Sequence, residues 1–332
     1  MRFPLSLTLS LSKYIISQRV LGKKRFPLVL MLEPLHACNL SCTGCGRIRE
    51  YADTLGKRMT LDECTKASEE CGAPVVSICG GEPLIYPEIG ELVSRLIDMG
   101  RHIFLCTNAL RLKESLDLFT PSTYLSFNVH LDGQAEAHDA IVCRDGTFET
   151  AVDAIREAKS RGFIVTTNTT VYKETDMDDV EGLLVRMSEL GVDSHMIAPG
   201  YDYESVKNGE LFLTREDTHE KFRDIDKLTR FPLSDTPVYV EFLKGLRDLP
   251  CAAWGNPTRN PVGWRSPCYM LADTHYHTFE ELMAKTDWDA YGPDRDVRCK
   301  DCMLHCGFEP SAVLNPGKGL ADLIKIAAWQ MR

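Results

Sequence analysis

From Phe26 onward, apolar runs alternate with polar-apolar stretches of helical period. The runs stand at residues 26–34, 73–82, 102–109, 124–133, 164–172 and 194–201, each about the length of a strand and bounded by Gly, Pro or Asp. Between them lie helix-start signals. Thr60 with Glu63 forms a capping box, Pro87 opens the next helix, and Thr214 with Asp217 repeats the first device. Six strand-helix units of this kind predict a parallel sheet with helices outside it, an α/β fold closed or partly closed as a (β/α)6 barrel. In such a fold the chemistry collects at the C-terminal ends of the strands.

Within the runs, period-two alternation sorts side chains by face. Phe104, Cys106 and Asn108 share one face of the third run. Asn128, His130 and Asp132 share one face of the fourth, opposite Phe127, Val129 and Leu131. Asn168 and Thr170 continue the polar row on the fifth. An unpaired buried polar group costs roughly 1–3 kcal/mol, so a row of them facing one lumen favours a polar ligand there.

The segment before Phe26 breaks the pattern. Residues 3–17 are apolar but interrupted by serines and Lys13, and too short to span a bilayer as a helix. No small-residue cleavage pattern follows. A basic cluster does: Arg19, Lys23, Lys24 and Arg25. Two readings stand, a helix packed on the domain and an amphipathic segment resting on a membrane surface. The chain thus divides into an N-terminal segment (1–25), a barrel (26–235) and a C-terminal cysteine-rich extension (236–332).

Composition narrows the function classes. The 332 residues are 44% hydrophobic, enough for a large core, and carry a net charge of −10. Nucleic acid is an unsuitable partner, because backbone binding needs a basic face. Thirteen cysteines stand in the chain, several in C-x2-C and C-x3-C spacings that hold metals more often than they form disulfides, which fits a reducing cytoplasm.

Cys38, Cys42 and Cys45, in "HACNLSCTGCG", follow the first strand. A structural zinc site wants four protein ligands, whereas three thiolates on a [4Fe–4S] cluster leave one iron open. The C-x3-C-x2-C loop resembles the signature of the radical SAM superfamily, whose open iron takes the amino and carboxylate groups of S-adenosylmethionine. Gly44 stands where family members often carry an aromatic. Gly80-Gly81-Glu82, ending the second strand, resembles the motif that holds SAM's ammonium in that superfamily. Asn108, His130, Asp132 and Asn168 would complete the cofactor's contacts.

Cys251, Gly263, Cys268 and "CKDCMLHCG", with Cys299, Cys302 and Cys306, resemble the start of a SPASM or twitch extension. That resemblance implies an auxiliary iron–sulfur cluster, with a zinc ion on the same ligands as the alternative. Five cysteines for four places leave one of Cys299, Cys302 and Cys306 spare. Together with "GGEPLIYPEI", "LCTNALRL", "APGYDYE", "WGNPTRNPVGW" and "DWDAYG", the motifs from about Arg25 to Ala312 are similar to the hopanoid-biosynthesis family of adenosyl-hopene transferases. Membership would imply addition of the 5′-deoxyadenosyl radical to the terminal alkene of diploptene, a triterpene, giving adenosylhopane. It would also imply a one-electron reductant such as flavodoxin or ferredoxin, and Cys106 as the hydrogen-atom donor that quenches the product radical. Free cysteines more often only pack. Two rivals remain: a SPASM-type peptide maturase and a non-catalytic zinc-binding scaffold.

Overall fold

The computed structural model describes residues 2–202, 205–206, 209–314 and 319–331; the last two residues of the APGYDYE stretch fall outside them. After an N-terminal helix α1 (Leu5–Val20), the apolar runs become six strands, each shorter than the run that announced it. They are β1 (Val29–Leu32), β2 (Val75–Ile78), β3 (His102–Thr107), β4 (Leu125–His130), β5 (Ile164–Val171) and β6 (Ser194–Pro199). They pair in parallel and in sequence order, Val29 opposite Val75, Ile103 opposite Leu125, Thr166 opposite Ser194. Parallel neighbours need long crossovers. Helices α2 (Leu61–Cys71), α3 (Ile89–Asp98), α4 (Ala135–Val142), α5 (Thr147–Ser160) and α6 (Met177–Glu189) supply four of the five, and the short turn of helix at Leu112–Ser115 lies in the one between β3 and β4.

Three more strands extend the same sheet. β7 (Thr258–Arg259) lies parallel to β1 on its free edge, and β8 (Trp264–Pro267) and β9 (Ala272–Tyr276) follow antiparallel. The order is β6-β5-β4-β3-β2-β1-β7-β8-β9, with β6 and β9 at opposite edges, so the barrel is partial. Around it stand α7 (Arg215–Lys221), α8 (Pro237–Leu243), α9 (Phe279–Lys285), α10 (His305–Leu314) and α11 (Leu320–Met331).

Strand alternation holds. Phe127, Val129 and Leu131 are fully buried in a core shared with Leu105 and Val165, beneath α2, α3 and α5. Their neighbours Cys106, His130, Asn168 and Thr170 are only half-buried, as side chains lining an open lumen would be. Both capping boxes form: Glu63 N–H donates to Thr60 Oγ1 at 3.2 Å while Thr60 N–H donates to Glu63 Oε2 at 2.7 Å, and Thr214 with Asp217 repeats the arrangement. Pro87 lies before its helix instead of opening it. The Ile89 N–H donates to Tyr86 O at 3.1 Å, which sets the first turn after Pro87 and makes Glu88 the cap.

Helix α1 packs on the domain, as the first sequence reading expects, and its apolar and polar residues are spread around it instead of forming the two faces of an amphipathic segment. Leu7 is buried, and Leu11, Tyr14 and Ile15 pack against Phe26, Leu28 and Leu314. Its start contacts α11: Gln330 Nε2 donates to Phe3 O at 3.0 Å and to Thr8 Oγ1 at 2.9 Å, and the Phe3 and Trp329 rings meet edge-on at 5.8 Å. Leu5, Leu9, Ile16 and Val20 of α1 remain exposed, as do Leu320, Leu323, Ile324 and Met331 of α11. Among the described residues no helix is long and apolar enough to cross a membrane.

Removing one half of the α2 capping box isolates its contribution. Thr60→Ala is expected to cost about 1 kcal/mol and lower the thermal midpoint by roughly 2 °C, read by circular dichroism. An unchanged midpoint would mean that solvent replaces the cap.

Candidate active site

The cysteine loop leaves β1 at the mouth of the barrel and is fastened on both sides. Ahead of it, Glu33 is fully buried and pairs with the Arg47 guanidinium, Nε to Oε1 at 2.9 Å. His36 is also fully buried, stacked on Tyr51 at 3.8 Å with Nδ1 3.1 Å from Thr54 Oγ1. Burial, with Arg47 nearby, pushes its pKa down to about 3 and keeps the ring neutral. Behind the loop, Arg47 Nη2 donates to Tyr269 O at 3.0 Å and its guanidinium covers the Tyr269 ring at 4.4 Å.

The three thiols are half-buried and close enough to repel as thiolates. Burial pushes Cys38 up to about 11, with Glu82 and Cys45 adding to it. Cys42 is raised further by burial, then by Cys45, Cys38 and Asp132. Three thiolates here need a cation of high charge. A single zinc at about 2.3 Å from each sulfur would bring the sulfurs within about 3.8 Å of one another. Among the described residues no three cysteine sulfurs lie within 4.8 Å of one another. The spread suits a polynuclear cluster, and the donor set fits one open corner.

Sequence reading placed Gly80, Gly81 and Glu82 against SAM; the structure places them against the cysteine loop. Gly81 N–H donates to Leu35 O at 3.1 Å and Glu82 N–H to Ala37 O at 2.9 Å. A Cβ on Gly81 would overlap the Ala37 carbonyl, so only glycine permits the approach. Gly80 has φ +108°, a second requirement for glycine. Glu82, 1% exposed, accepts from Leu84 N (3.0 Å) and Thr107 Oγ1 (2.7 Å) on Oε1 and from Asn108 N (2.9 Å) on Oε2. Three of its four lone-pair positions are filled. It clamps the ends of β2 and β3 together.

Asn108 is also committed inside the protein. Its Nδ2 donates to Asn39 Oδ1 of the cysteine loop at 2.8 Å, and its Oδ1 accepts from Leu110 N at 3.0 Å. Asp132 is buried, accepts from Thr170 N at 2.8 Å, and lies 2.7 Å from His130 Nε2. His130 is nevertheless half-exposed, burial lowering and the Asp132 charge raising its pKa, with the net shift upward. Asn168 is likewise half-exposed, and no hydrogen bond occupies its side chain among the described residues.

Below this layer, Cys106 sits in a row across four strands. Its Sγ lies 3.4 Å from Ser77 Oγ and 3.7 Å from Asn128 Nδ2, and Asn128 Oδ1 accepts from Thr166 Oγ1 at 3.1 Å. Burial raises its pKa, so it stays a thiol. Cys106 stands two residues before Asn108 on β3, hence about 7 Å beneath the mouth.

The second cysteine group is linked to the segment that follows the first through Arg47 and Arg265. Cys251, Cys268, Cys299 and Cys302 line one cavity with Tyr201, Leu271 and Phe308. Cys306 is outside that lining but is close enough that Cys251 and Cys268 raise it, after burial. Arg265, 1% exposed, joins the two groups: Nε donates to Cys268 O (3.0 Å) and Nη2 to Met270 O (2.7 Å), while Nη1 reaches Glu50 and the Tyr51 hydroxyl.

Residues 32–187 match the Radical SAM superfamily. This segment is a radical SAM domain. Its cofactors are a [4Fe–4S] cluster and S-adenosylmethionine. Residues 195–326 match a domain of unknown function, DUF3463. The AdoMet-dependent heme synthase of Methanosarcina barkeri is 28% identical over 170 residues, 50% of this chain and 48% of that protein. The GTP 3′,8-cyclase of Aquifex aeolicus is 28% identical over 182 residues, 52% and 57% of the two chains. The PqqA peptide cyclase of Bradyrhizobium diazoefficiens is 34% identical over 118 residues, 33% and 31%. The chain thus spans about half the length of the first two relatives and a third of the last. The radical SAM fold recurs in Streptococcus suis SuiB bound to S-adenosylmethionine, with TM-score 0.63, 16% identity and coverage of 86% and 71%. In anSMEcpe with bound AdoMet the values are 0.58, 16%, 92% and 97%.

Several residues that build the site escaped the sequence reading: Glu33, Arg47, Tyr51, Arg265 and Tyr172. A Glu inside the apolar run "LVLMLEPL" was the one visible signal. Tyr172 explains Gly44. A Cβ there would strike the Tyr172 ring, so an aromatic from the end of β5 occupies the space beside the third cysteine.

Gly81→Ala should push the cysteine loop outward and reduce bound iron per chain by at least roughly half. Gly56→Ala, which meets nothing within 4 Å, serves as control. Equal iron in both variants would remove the role given to Gly81.

Proposed function

We propose that the protein adds the 5′-deoxyadenosyl radical to the terminal alkene of a hopene-class triterpene, and that Cys106 quenches the resulting carbon radical. Cys38, Cys42 and Cys45 hold the cluster in this reading, while His130 and Asn168 meet SAM and Gly80, Gly81, Glu82, Asn108 and Asp132 position the loop and those side chains. When bound, the cluster and SAM supply one electron and the nucleoside radical. The chain's own contribution comes afterwards.

The observation that carries the reading is the Cys106 thiol: neutral, lumen-facing and outside both metal groups. Forming the new bond at the terminal carbon leaves the unpaired electron on the tertiary carbon. Cys106 gives that carbon a hydrogen atom, breaking S–H and forming C–H. The thiyl left behind takes one electron and one proton, the electron from a flavodoxin- or ferredoxin-type reductant, and the thiol is restored. Ser77 and Asn128 hold the sulfur in place.

Two features suit an apolar substrate. A chamber of about 360 Å³ opens at the N-terminal ends of β3 to β6, lined by Phe3, Leu7, Ile103, Phe104, Tyr124 and Ile164 among others. The N-terminal segment reaches it through Arg2, Phe3, Pro4 and Leu7, and further along carries exposed Leu9, Ile16 and Val20, with Lys13, Lys23 and Lys24 in the same stretch. A hydrocarbon of roughly 30 carbons gains about 0.8 kcal/mol per CH₂ on leaving water, but almost nothing on leaving a bilayer. Capture then depends on peripheral contact with the membrane, which α1 provides. Four of the five C-terminal cysteines, with one of Cys299, Cys302 and Cys306 spare, hold an auxiliary iron–sulfur cluster in this reading.

A peptide substrate is the second reading, and the comparisons favour it. The PqqA peptide cyclase is among the relatives, and SuiB and anSMEcpe are known with peptide bound.

An anaerobic reaction with dithionite, SAM and diploptene, read by mass spectrometry, separates the two. The expected product is the saturated adenosyl adduct, lowered at least roughly tenfold or formed without stereocontrol in Cys106→Ala. Free 5′-deoxyadenosine without adduct would contradict the hopene reading, and a normal adduct from Cys106→Ala would contradict the donor role. For the membrane contact, deletion of residues 1–20 should reduce flotation with anionic liposomes. Undiminished flotation would rule α1 out.

A further inference from the structure

Asp235, His305 and Glu309 lie outside both cysteine groups, yet one ligand atom from each falls within 4.8 Å of the other two. They come from two anchors, the segment after β6 and helix α10. Asp235 follows Leu233, which bridges β6 in parallel through His195, and its Oδ2 accepts from Ile197 N at 3.0 Å. Glu309, on α10, accepts from Thr236 N at 2.6 Å and Thr236 Oγ1 at 2.9 Å, just ahead of α8. His305 opens α10, its ring edge-on to Tyr239 at 5.7 Å.

Two facts mark the cluster as unfinished. Asp235 is 1% exposed and its Oδ1 has no hydrogen-bond partner. Glu309 is 7% exposed and faces the same spot, so two carboxyl groups share a buried volume, and among the described residues no Lys or Arg pairs with either. Burial holds Asp235 well above the usual carboxylate range, with Glu309 adding to it, and lifts Glu309 to about 7. Buried acids without cations are rare because an uncompensated charge costs several kcal/mol.

We propose that Asp235, His305 and Glu309 bind one divalent metal ion of the class that accepts carboxylate and imidazole donors, such as Mn²⁺ or Zn²⁺. Two carboxylates balance its charge, and the imidazole nitrogen adds the third ligand. The ion takes the lone pair that Asp235 Oδ1 leaves unused. Its position gives it a structural task. Asp235 belongs to the β6 edge of the barrel, whereas His305 and Glu309 flank Cys306 on the helix that carries the last of the C-terminal cysteines. One ion here ties the extension to the barrel and sets where that helix begins. Neither cysteine group contributes to it, and the site does not depend on which substrate the enzyme takes.

The test uses the whole, anaerobically reconstituted protein after dialysis against a chelator, titrated with Mn²⁺. Manganese is chosen because it avoids thiolates, and binding is read as loss of the six-line EPR signal of the free ion while the cluster is oxidised. One Mn²⁺ per chain is expected. Asp235→Asn retains the acceptor for Ile197 N, and Glu309→Gln retains one for Thr236; each should weaken binding roughly tenfold or more with iron per chain unchanged. Competition by Zn²⁺ should release the manganese. Absence of binding up to about millimolar Mn²⁺, or equal affinity in both variants and the parent, would overturn the proposal. If one variant fails to fold, judged by circular dichroism, the other decides.

Discussion

Repulsion among three thiolates in a half-dry loop is the constraint around which the rest of this protein is arranged. Burial and mutual charge raise Cys38 and Cys42 together, so the loop is an unfavourable place for ionised sulfur unless a highly charged cluster sits on it. The surrounding residues hold that loop ready. Gly81 brings β2 to within hydrogen-bonding distance of its backbone, Asn108 bonds to Asn39, and the Glu33–Arg47 pair fixes its exit. A buried ion pair is weak evidence of stability by itself. Here it joins two chemical centres, because the same Arg47 covers Tyr269 beside Cys268.

The fold was largely readable and the site only partly so. Apolar runs and helix caps marked six strands and the crossovers between them because a parallel sheet buries both faces and leaves near-continuous hydrophobic runs. The short β7 could not be seen: Thr258–Arg259 has no apolar pattern and exists because β1 offers a free edge. Alternation placed Cys106, Asn128 and His130 in the lumen, since period two is a property of the strand alone. What those side chains bond to depends on neighbouring strands. Glu82 and Asn108 resemble ligand contacts in the sequence, and their bonds to the protein's own backbone and to Asn39 could not be read there. Nothing in the sequence pattern singles out Arg265, and only its full burial between Glu50 and the Cys268 loop shows its task.

The substrate is the question on which sequence motifs and comparisons part. Motifs across most of the chain resemble the hopanoid family, while named relatives include a peptide cyclase and match from a third to about half of this chain. In the proposed reading Cys106 supplies the hydrogen atom that the product radical requires after addition to a double bond.

The central claim is that Cys38, Cys42 and Cys45 hold a cluster with one iron left open for SAM. EPR of the dithionite-reduced, reconstituted protein with and without SAM tests it most directly. A change in the g-values of the signal that is lost when the three loop cysteines are replaced by alanine is the predicted result. A spectrum that SAM leaves untouched would contradict it.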